Sequence, residues 1–328
     1  MAGVGKRLRP HTFTTPKPLL PVAGKPIVQR LVEDISVIYK GALSEIIYIS
    51  GDFGEEVDKM LLQVADNLGV KGRVLYQDKP LGTAHAIYCA EEFLDGEVVI
   101  AFADTLFRAD FELDRTKDGM IWVKAVENPK AFGVVTLDKQ GIIESMVEKP
   151  EKFVSDLAII GIYYIKEAKR LKEEIKYLLD NKIQGKGEYQ LTDALFNMKK
   201  KGAQFVAGKV SEWWDCGNKE SLLDTNAQVL KHLENKELLS ATAIVENSVI
   251  LAPCFIGQNV KINNSIIGPY VSIGDDATII DSHIKDSIIR ENAQVSSANL
   301  DNSIVGKDSI VVSAPKEVNL GNSSTIII

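Results

Sequence analysis

The sequence predicts an α/β domain built on a mixed sheet, followed by a parallel β-helix. Two observations carry that prediction. Residues 20–237 alternate short β-branched runs with amphipathic helical stripes, the rhythm of repeated strand–helix units. After about Leu238 helical patterning stops and aliphatic residues recur at steps of six. The change of texture divides the 328 residues into segments 1–237 and 241–328, in line with roughly 150 residues per domain.

Taken in order, residues 26–40 read as a helix, with Ile27, Leu31, Ile35 and Ile38 on one stripe. Residues 45–50 are a β-branched strand, 55–68 a second helix and 73–77 a second strand. Residues 83–93 read as one helix. Residues 97–104 read as one nearly continuous apolar strand, the pattern of a parallel strand covered on both faces. Then the rhythm changes. Residues 120–126, 132–137, 142–147 and 158–165 are strand candidates with little helix between them, which predicts an antiparallel or mixed extension of the sheet. Helices resume at 167–181, 192–200 and 219–233.

In the C-terminal segment Ile267, Ile273 and Ile279 are spaced by six, as are Ile256 and Ile262, Ile289 and Val295, and Val305 and Val311. The step-four partners Val260, Val271, Ala277, Ala293 and Ser309 are small or apolar. A unit of six residues cannot stand alone and must stack on its neighbours as a solenoid. Three hexapeptides then make one triangular turn with the aliphatic side chain inside. Strands of a sandwich recur instead at about 8–12 residues. The apolar end Ile326-Ile327-Ile328 is expected to be buried against the solenoid or a partner.

Composition narrows the function classes. Hydrophobic residues are 45% of the chain, enough for a large core, so disorder is excluded. The net charge of −7, from 38 Lys and Arg against 45 Asp and Glu, offers no global attraction to nucleic acid or an anionic membrane. Cys89, Cys216 and Cys254 are isolated, which excludes a disulfide framework and a Cys-based zinc site and suits a reducing compartment. Apolar runs such as 98–103 are far shorter than the roughly 20 residues of a membrane helix. The charged, proline-rich stretch 6–25 is no signal peptide. A cytoplasmic protein without nucleic-acid or membrane partners is expected.

The chemistry concentrates at the N-terminus. Gly3 and Gly5 let the backbone approach a phosphate and turn its N–H groups outward. Arg7 adds a planar fork suited to phosphate oxygens. Pro10, Pro16, Pro18 and Pro21 stiffen the loop that carries Lys17 and Lys25. Such a loop can grip a polyphosphate. It is neither a Walker loop, since no Gly-Lys-Ser/Thr closes it, nor a dinucleotide fingerprint, since the third glycine is absent.

The run Gly3-Val4-Gly5-Lys6-Arg7-Leu8-Arg9-Pro10-His11-Thr12, followed by Pro16-Lys17-Pro18-Leu19-Leu20-Pro21-Val22, closely resembles the signature of the sugar-phosphate nucleotidylyltransferases, or NDP-sugar pyrophosphorylases. The resemblance extends through residue 237, and a hexapeptide-repeat left-handed β-helix is a frequent companion in that family. It implies a Rossmann-like nucleotidyltransferase domain ahead of that helix. In the family the glycine loop follows a first strand. Here Met1 stands almost at the loop, so the sheet is expected to lack that strand.

The resemblance also implies roles. Ala2, Gly3, Gly5, Gln77, Gly82 and Thr83 would contact the nucleotide, with Gln77 reading a pyrimidine edge. Asp104, at the end of a strand, and Asp215 would hold Mg²⁺. Ala103 departs from the glycine that many members carry. Gly133, Glu148 and Lys149 would contact the sugar phosphate. Thr192 and Asp193 are candidates to cap the following helix. The implied reaction joins an NTP, UTP or dTTP rather than GTP, to a sugar 1-phosphate, with glucose 1-phosphate as the default, and releases pyrophosphate. Arg7, Lys17, Asp104, Lys149 and Asp215 would be catalytic. Two alternatives stand beside this reading. One is a non-catalytic NDP-sugar-binding regulatory protein. The other is a bifunctional enzyme with an acyltransferase in the β-helix, where His283 is the lone histidine. Self-association through the β-helix is expected, because a solenoid has open ends and flat faces.

Overall fold

The computed structural model describes residues 5–39, 43–109, 113–233 and 238–313. Ala2, Gly3 and the 326–328 end lie outside them. The chain forms two compact units. One comprises the residues up to Leu20 together with Lys25–Ser221, and the other gathers Pro21–Gly24 with the chain from Leu222 onward.

After two short strands, β1 (Pro21–Val22) and β2 (Lys25–Pro26), α1 (Ile27–Ile38) buries Ile27, Val28, Leu31, Val32 and Ile35. That is the stripe its periodicity announces, carried on adjacent positions. β3 (Glu45–Ser50) and β4 (Lys71–Tyr76) run parallel, Glu45 opposite Lys71 and Ser50 opposite Tyr76. Between them α2 (Glu55–Asn67) places Glu55, Glu56 and Asp58 in its first turn, where acids complement the helix dipole.

The mixed sheet follows. β7 (Gly119–Ala125), β8 (Gly133–Leu137), β9 (Ile143–Glu148), β10 (Leu157–Ile165) and β11 (Phe205–Lys209) lie in the order β11-β7-β10-β8-β9, and β5 (Val98–Ala101) joins β10. Among the described residues of this sheet, only β11 is parallel to its neighbour β7, and the other pairings are antiparallel. α4 (Ala168–Asp180) and α5 (Leu191–Lys200) pack Leu171, Ile175, Leu178, Leu191, Leu195 and Met198 against sheet residues such as Ile121 and Tyr163. Among the described residues no strand bridges β3 and β5.

Two elements differ from expectation. The helix read over 83–93 is α3 (Thr83–Tyr88) followed by a separate 3₁₀ turn at Glu91–Phe93. The run 97–104 is not one parallel strand covered on both faces. β5 is antiparallel to β10 and half-buried, and it ends at Ala101. There Phe102 N donates to Gly161 O at 2.9 Å. Gly161, at φ 84°, occupies a bulge in β10 where a Cβ would lie 3.1 Å from Phe102. The chain turns away and starts β6 (Thr105–Arg108), which pairs with β12 (Glu212–Asp215). Together with β11, these two short strands escape sequence periodicity, since four or five residues carry little pattern.

α6 (Lys219–His232), in the second unit from Leu222 onward, leads into three parallel ladders, the arrangement of a triangular β-helix. β13-β16-β19-β22-β25 (Ile244–Glu246, Lys261–Asn263, Thr278–Ile280, Gln294–Ser296, Ile310–Val312) form one side. β14-β17-β20-β23 (Val249–Ile250, Ile266–Ile267, His283–Ile284, Asn299–Leu300) form the second, and β15-β18-β21-β24 (Cys254–Ile256, Val271–Ile273, Ile288–Ile289, Ile304–Val305) the third. Ile262, Ile267, Ile273, Ile279, Ile284, Ile289 and Val295 fill the interior.

The turn is shorter than three hexapeptides. Equivalent corners are 17 residues apart at Asn259–Asp276 and 16 at Asn292–Asp308. The six-residue step survives from the third side to the first. It contracts to five between the first and second, as from Ile262 to Ile267 and Ile279 to Ile284. At those corners Asn264 and Asp281 adopt positive φ, and Asn264 Nδ2 donates to Asp281 Oδ1. Behind them Ser282 N donates to Ser265 Oγ and Ala298 N to Ser282 Oγ, so buried hydroxyls complete the ladder.

Candidate active site

The glycine loop closes on itself. Gly5 is left-handed (φ 55°, ψ 33°), and its carbonyl accepts from Thr12 Oγ1 at 2.8 Å and Leu8 N at 2.9 Å. A Cβ there would meet Thr12 Cγ2 at 3.0 Å and Lys17 Cβ at 3.4 Å, so the turn lies directly against the start of the lysine side chain. Lys17 Nζ pairs with Asp104 Oδ2 at 2.8 Å, the lysine side chain only 11% exposed and the aspartate 47%. A nearly buried ammonium tethered to one carboxylate is held in place for a second anion.

Asp104 sits in the turn between β5 and β6. Its carbonyl accepts Cys216 N at 3.0 Å, and Asp215 pairs with Thr105, so the two aspartates occupy adjoining positions on neighbouring strands. Both are partly exposed. Arg7, which is exposed, reaches the same place. A Cβ on Gly217 would lie 2.9 Å from both Asp215 oxygens and 3.1 Å from Arg7 Nη2. Gly217 was not singled out by the sequence; its only signal was its place two residues after Asp215.

Gln77 follows the carboxyl end of β4, where open α/β sheets receive ligands. It is buried, and its N–H donates to Ser50 O at 2.8 Å. Its side-chain Nε2 lies 3.1 Å from Gly82 O and 2.9 Å from His85 Nδ1. Gly82 has φ 116°, and a Cβ there would strike Tyr189 O at 2.5 Å and Tyr189 N at 2.6 Å. Thr83 turns its hydroxyl inward, where Oγ1 accepts Leu191 N at 3.0 Å at the start of α5. The cap of α5 is therefore supplied across the chain by Thr83, and not by Thr192 or Asp193. Thr192 Oγ1 instead faces Glu148 Oε2 at 3.4 Å.

Glu148 ends β9 opposite Gly133, the first residue of β8. A Cβ on Gly133 would lie 2.9 Å from Glu148 Oε2 and 3.3 Å from Thr192 Cγ2, so a larger residue there would displace that carboxylate. Burial pushes the Glu148 carboxyl up from its ordinary range, opposed by Lys149 and by the Thr192 hydrogen bond. Lys149 turns with φ 44°; its N–H donates to Phe132 O at 3.0 Å and its ammonium lies 3.8 Å from Glu148 Oε1.

Two contacts tie these groups together. The segment 188–192 binds Leu81, Thr83 and Ala84 on one side and Glu148 on the other. The Phe132 ring packs edge-on against Trp213 at 5.0 Å, and Trp213 Nε1 donates to Thr105 Oγ1, which links the Gly133 group to the Asp104–Asp215 pair. His283 lies apart from these groups in sequence, exposed on β20 of the second unit. Among the described residues no helix is long and apolar enough to cross a membrane.

The family described as nucleotidyl transferase matches residues 1–232. The low-salt glycan biosynthesis nucleotidyltransferase Agl11 of Haloferax volcanii is 32% identical, over 95% of this chain and 92% of that one. A glucose-1-phosphate thymidylyltransferase of Streptomyces griseus is 29% identical, over 96% and 92%. A Bacillus anthracis crystal structure, assigned as a glucose-1-phosphate thymidylyltransferase and solved with sucrose, superposes with a TM-score of 0.59 at 26% identity, covering 69% of this chain and 92% of the other.

Proposed function

Since this chain belongs to the nucleotidyl transferase family, and its reaction is nucleotidyl transfer to a sugar 1-phosphate, we propose UTP or dTTP as donor and glucose 1-phosphate as acceptor. The observation that carries the proposal is the linkage of three residue groups. Gln77 bonds to Gly82, the neighbouring Thr83 is bound through 188–192 to Glu148, and Glu148 neighbours Gly133 and Lys149. The third group, Arg7, Lys17, Asp104 and Asp215, adjoins them through Trp213 and Phe132.

In this reading the sugar phosphate is its own nucleophile. Its second pKa is about 6, so it is largely dianionic at neutral pH and needs no general base. The obstacle is repulsion between two polyanions, which cations must offset while aligning attack on the α-phosphorus. Lys149 holds the sugar phosphate, Glu148 accepts from sugar hydroxyls, Lys17 stabilises charge at the α-phosphate and Arg7 receives the departing pyrophosphate. Thr83 serves the fold of α5 through its hydroxyl, which leaves its backbone to contact the nucleotide.

Mg²⁺ fits the donor set. Asp104 precedes Thr105, Asp215 pairs with Thr105 across β6 and β12, and Mg²⁺ takes one or two carboxylates and completes its shell with water and phosphate oxygens. Asp104 and Asp215 would hold it, and it would supply charge neutralisation at the reacting phosphates. Pyrophosphate release, measured for four NTPs against a panel of sugar 1-phosphates, tests the assignment. A preference for ATP or GTP, or for a sugar other than glucose, would replace the donor or the acceptor.

Self-association through the β-helix is part of the proposal. Val249 and Ile266 neighbour each other in one ladder with 53% and 43% of their surface exposed. Ile266→Asp should lower the sedimentation coefficient of the full chain, and an unchanged coefficient removes this face from any contact. Cys89, Cys216 and Cys254, none of them in a disulfide among the described residues, fit a reducing, cytoplasmic setting.

A further inference from the structure

The amide of Gln77 is held in one orientation. Gly82 O is a carbonyl and only accepts, so the atom 3.1 Å from it must be Nε2 and not Oε1. With the amide so fixed, the second Nε2 hydrogen points to His85 Nδ1 at 2.9 Å. Nδ1 must then accept, which places the imidazole proton on the ring's own Nε2. Burial lowers the His85 pKa and so keeps the ring neutral, as this arrangement requires. Both Gln77 amide hydrogens are thereby committed inside the protein. Among the described residues Oε1 accepts no hydrogen bond, and it is the one Gln77 side-chain atom left to a ligand.

We infer that His85 is a positioning residue for base selection: its Nδ1 locks the Gln77 amide so that only Oε1 is presented to the base. An acceptor in that place suits the imide N3–H of uracil or thymine, the single donor on their Watson–Crick edge. Cytosine carries a lone pair at N3 and meets Oε1 with repulsion. Without the His85 acceptor, Gly82 O alone holds the amide. Nε2 then has a free hydrogen, and with one contact in place of two the amide can turn about the Gly82 bond and bring that hydrogen toward cytosine N3. His85 itself need not touch the nucleotide.

The inference rests on the reading that Gln77 faces the base, and the test separates the two. kcat and KM are measured for UTP, dTTP and CTP with glucose 1-phosphate in the wild type and in His85→Ala, His85→Asn and Gln77→Ala. His85→Ala suits helix α3 and leaves a half-exposed position, so the fold is kept. It should lower the uridine-or-thymidine preference over cytidine by about 10-fold, through KM, with kcat changed by less than about 2-fold. His85→Asn, whose Oδ1 takes the place of the accepting Nδ1, should restore the preference to within about 2-fold of wild type. If Gln77→Ala abolishes the preference while His85→Ala keeps it, His85 does not position the amide. Nor does it if His85→Asn behaves as His85→Ala. If Gln77→Ala also keeps the preference, the base-reading role of Gln77 fails as well.

Discussion

Gly82→Ala should couple a stability loss to a loss of nucleotide affinity. The added methyl would lie 2.5 Å from Tyr189 O, 2.6 Å from Tyr189 N and 3.0 Å from Glu188 Cβ. Two of the three obstacles are backbone atoms, which cannot rotate away. Relief requires the 81–84 and 188–191 segments to part, which opens Tyr189 N→Leu81 O (2.8 Å) and Ala84 N→Tyr189 O (2.9 Å). Each bond is worth about 0.5–1.5 kcal/mol. Holding a non-glycine residue near φ 116° adds about 1–3 kcal/mol. The sum is about 2–6 kcal/mol, a large part of a typical 5–15 kcal/mol. Because Gly82 O also holds Gln77 Nε2, the displacement reaches the base-reading amide. Urea unfolding should show a midpoint lowered with little change in slope, and KM for the nucleotide should rise by about 10-fold or more. A Gly82→Ala protein within about 1 kcal/mol of wild type, with unchanged KM, would refute this account of the turn.

Two further outcomes are expected. Glu148 keeps its proton to a higher pH than the ordinary 4.5, because burial disfavours its charge. As pH falls through that raised value the accepting carboxylate is lost, so KM for the sugar 1-phosphate should climb above the ordinary glutamate range. Glu148→Gln should lack that limb, and the titration of the sugar phosphate itself cancels in the ratio of the two proteins. For stability the sign reverses, since a raised carboxyl pKa favours the fold as pH falls. In the second unit Asn226 is fully buried, and its Oδ1 accepts from Ala23 N at 2.9 Å and Ser272 Oγ at 2.7 Å. Asn226→Ala strands two donors and should cost about 2–4 kcal/mol, read as a lowered melting temperature; a change under about 1 kcal/mol would mean that water replaces the amide.

Legibility in the sequence followed the length of the signal. Helix α1, strands β3 and β4 and the four strands from β7 to β10 have enough residues to show their period. β6, β11 and β12 do not, and their pairing depends on partners about a hundred residues away, as Thr105 on Asp215. The run 97–104 misled because apolar character does not encode the direction of a neighbouring strand, and Gly161 of β10 decides where β5 ends. The solenoid was legible through its six-residue steps, while the five-residue corners were hidden because Ser265 and Ser282 occupy them with hydrogen bonds rather than apolar side chains. At the candidate site, charged residues could be named from the N-terminal motif. Lys17 against Asp104, Thr83 capping α5 and His85 against Gln77 could not, since each is a tertiary contact between residues whose types are common elsewhere.

The most direct test of the central claim follows the α-phosphate. The chain is incubated with Mg²⁺, glucose 1-phosphate and UTP or dTTP labelled at the α-phosphorus, and products are separated after a single turnover. The account predicts label in the NDP-sugar and unlabelled pyrophosphate, with Asp104→Asn slowing the step by about 100-fold or more. Label remaining in the triphosphate with wild-type protein, or an Asp104→Asn rate equal to wild type, would contradict it.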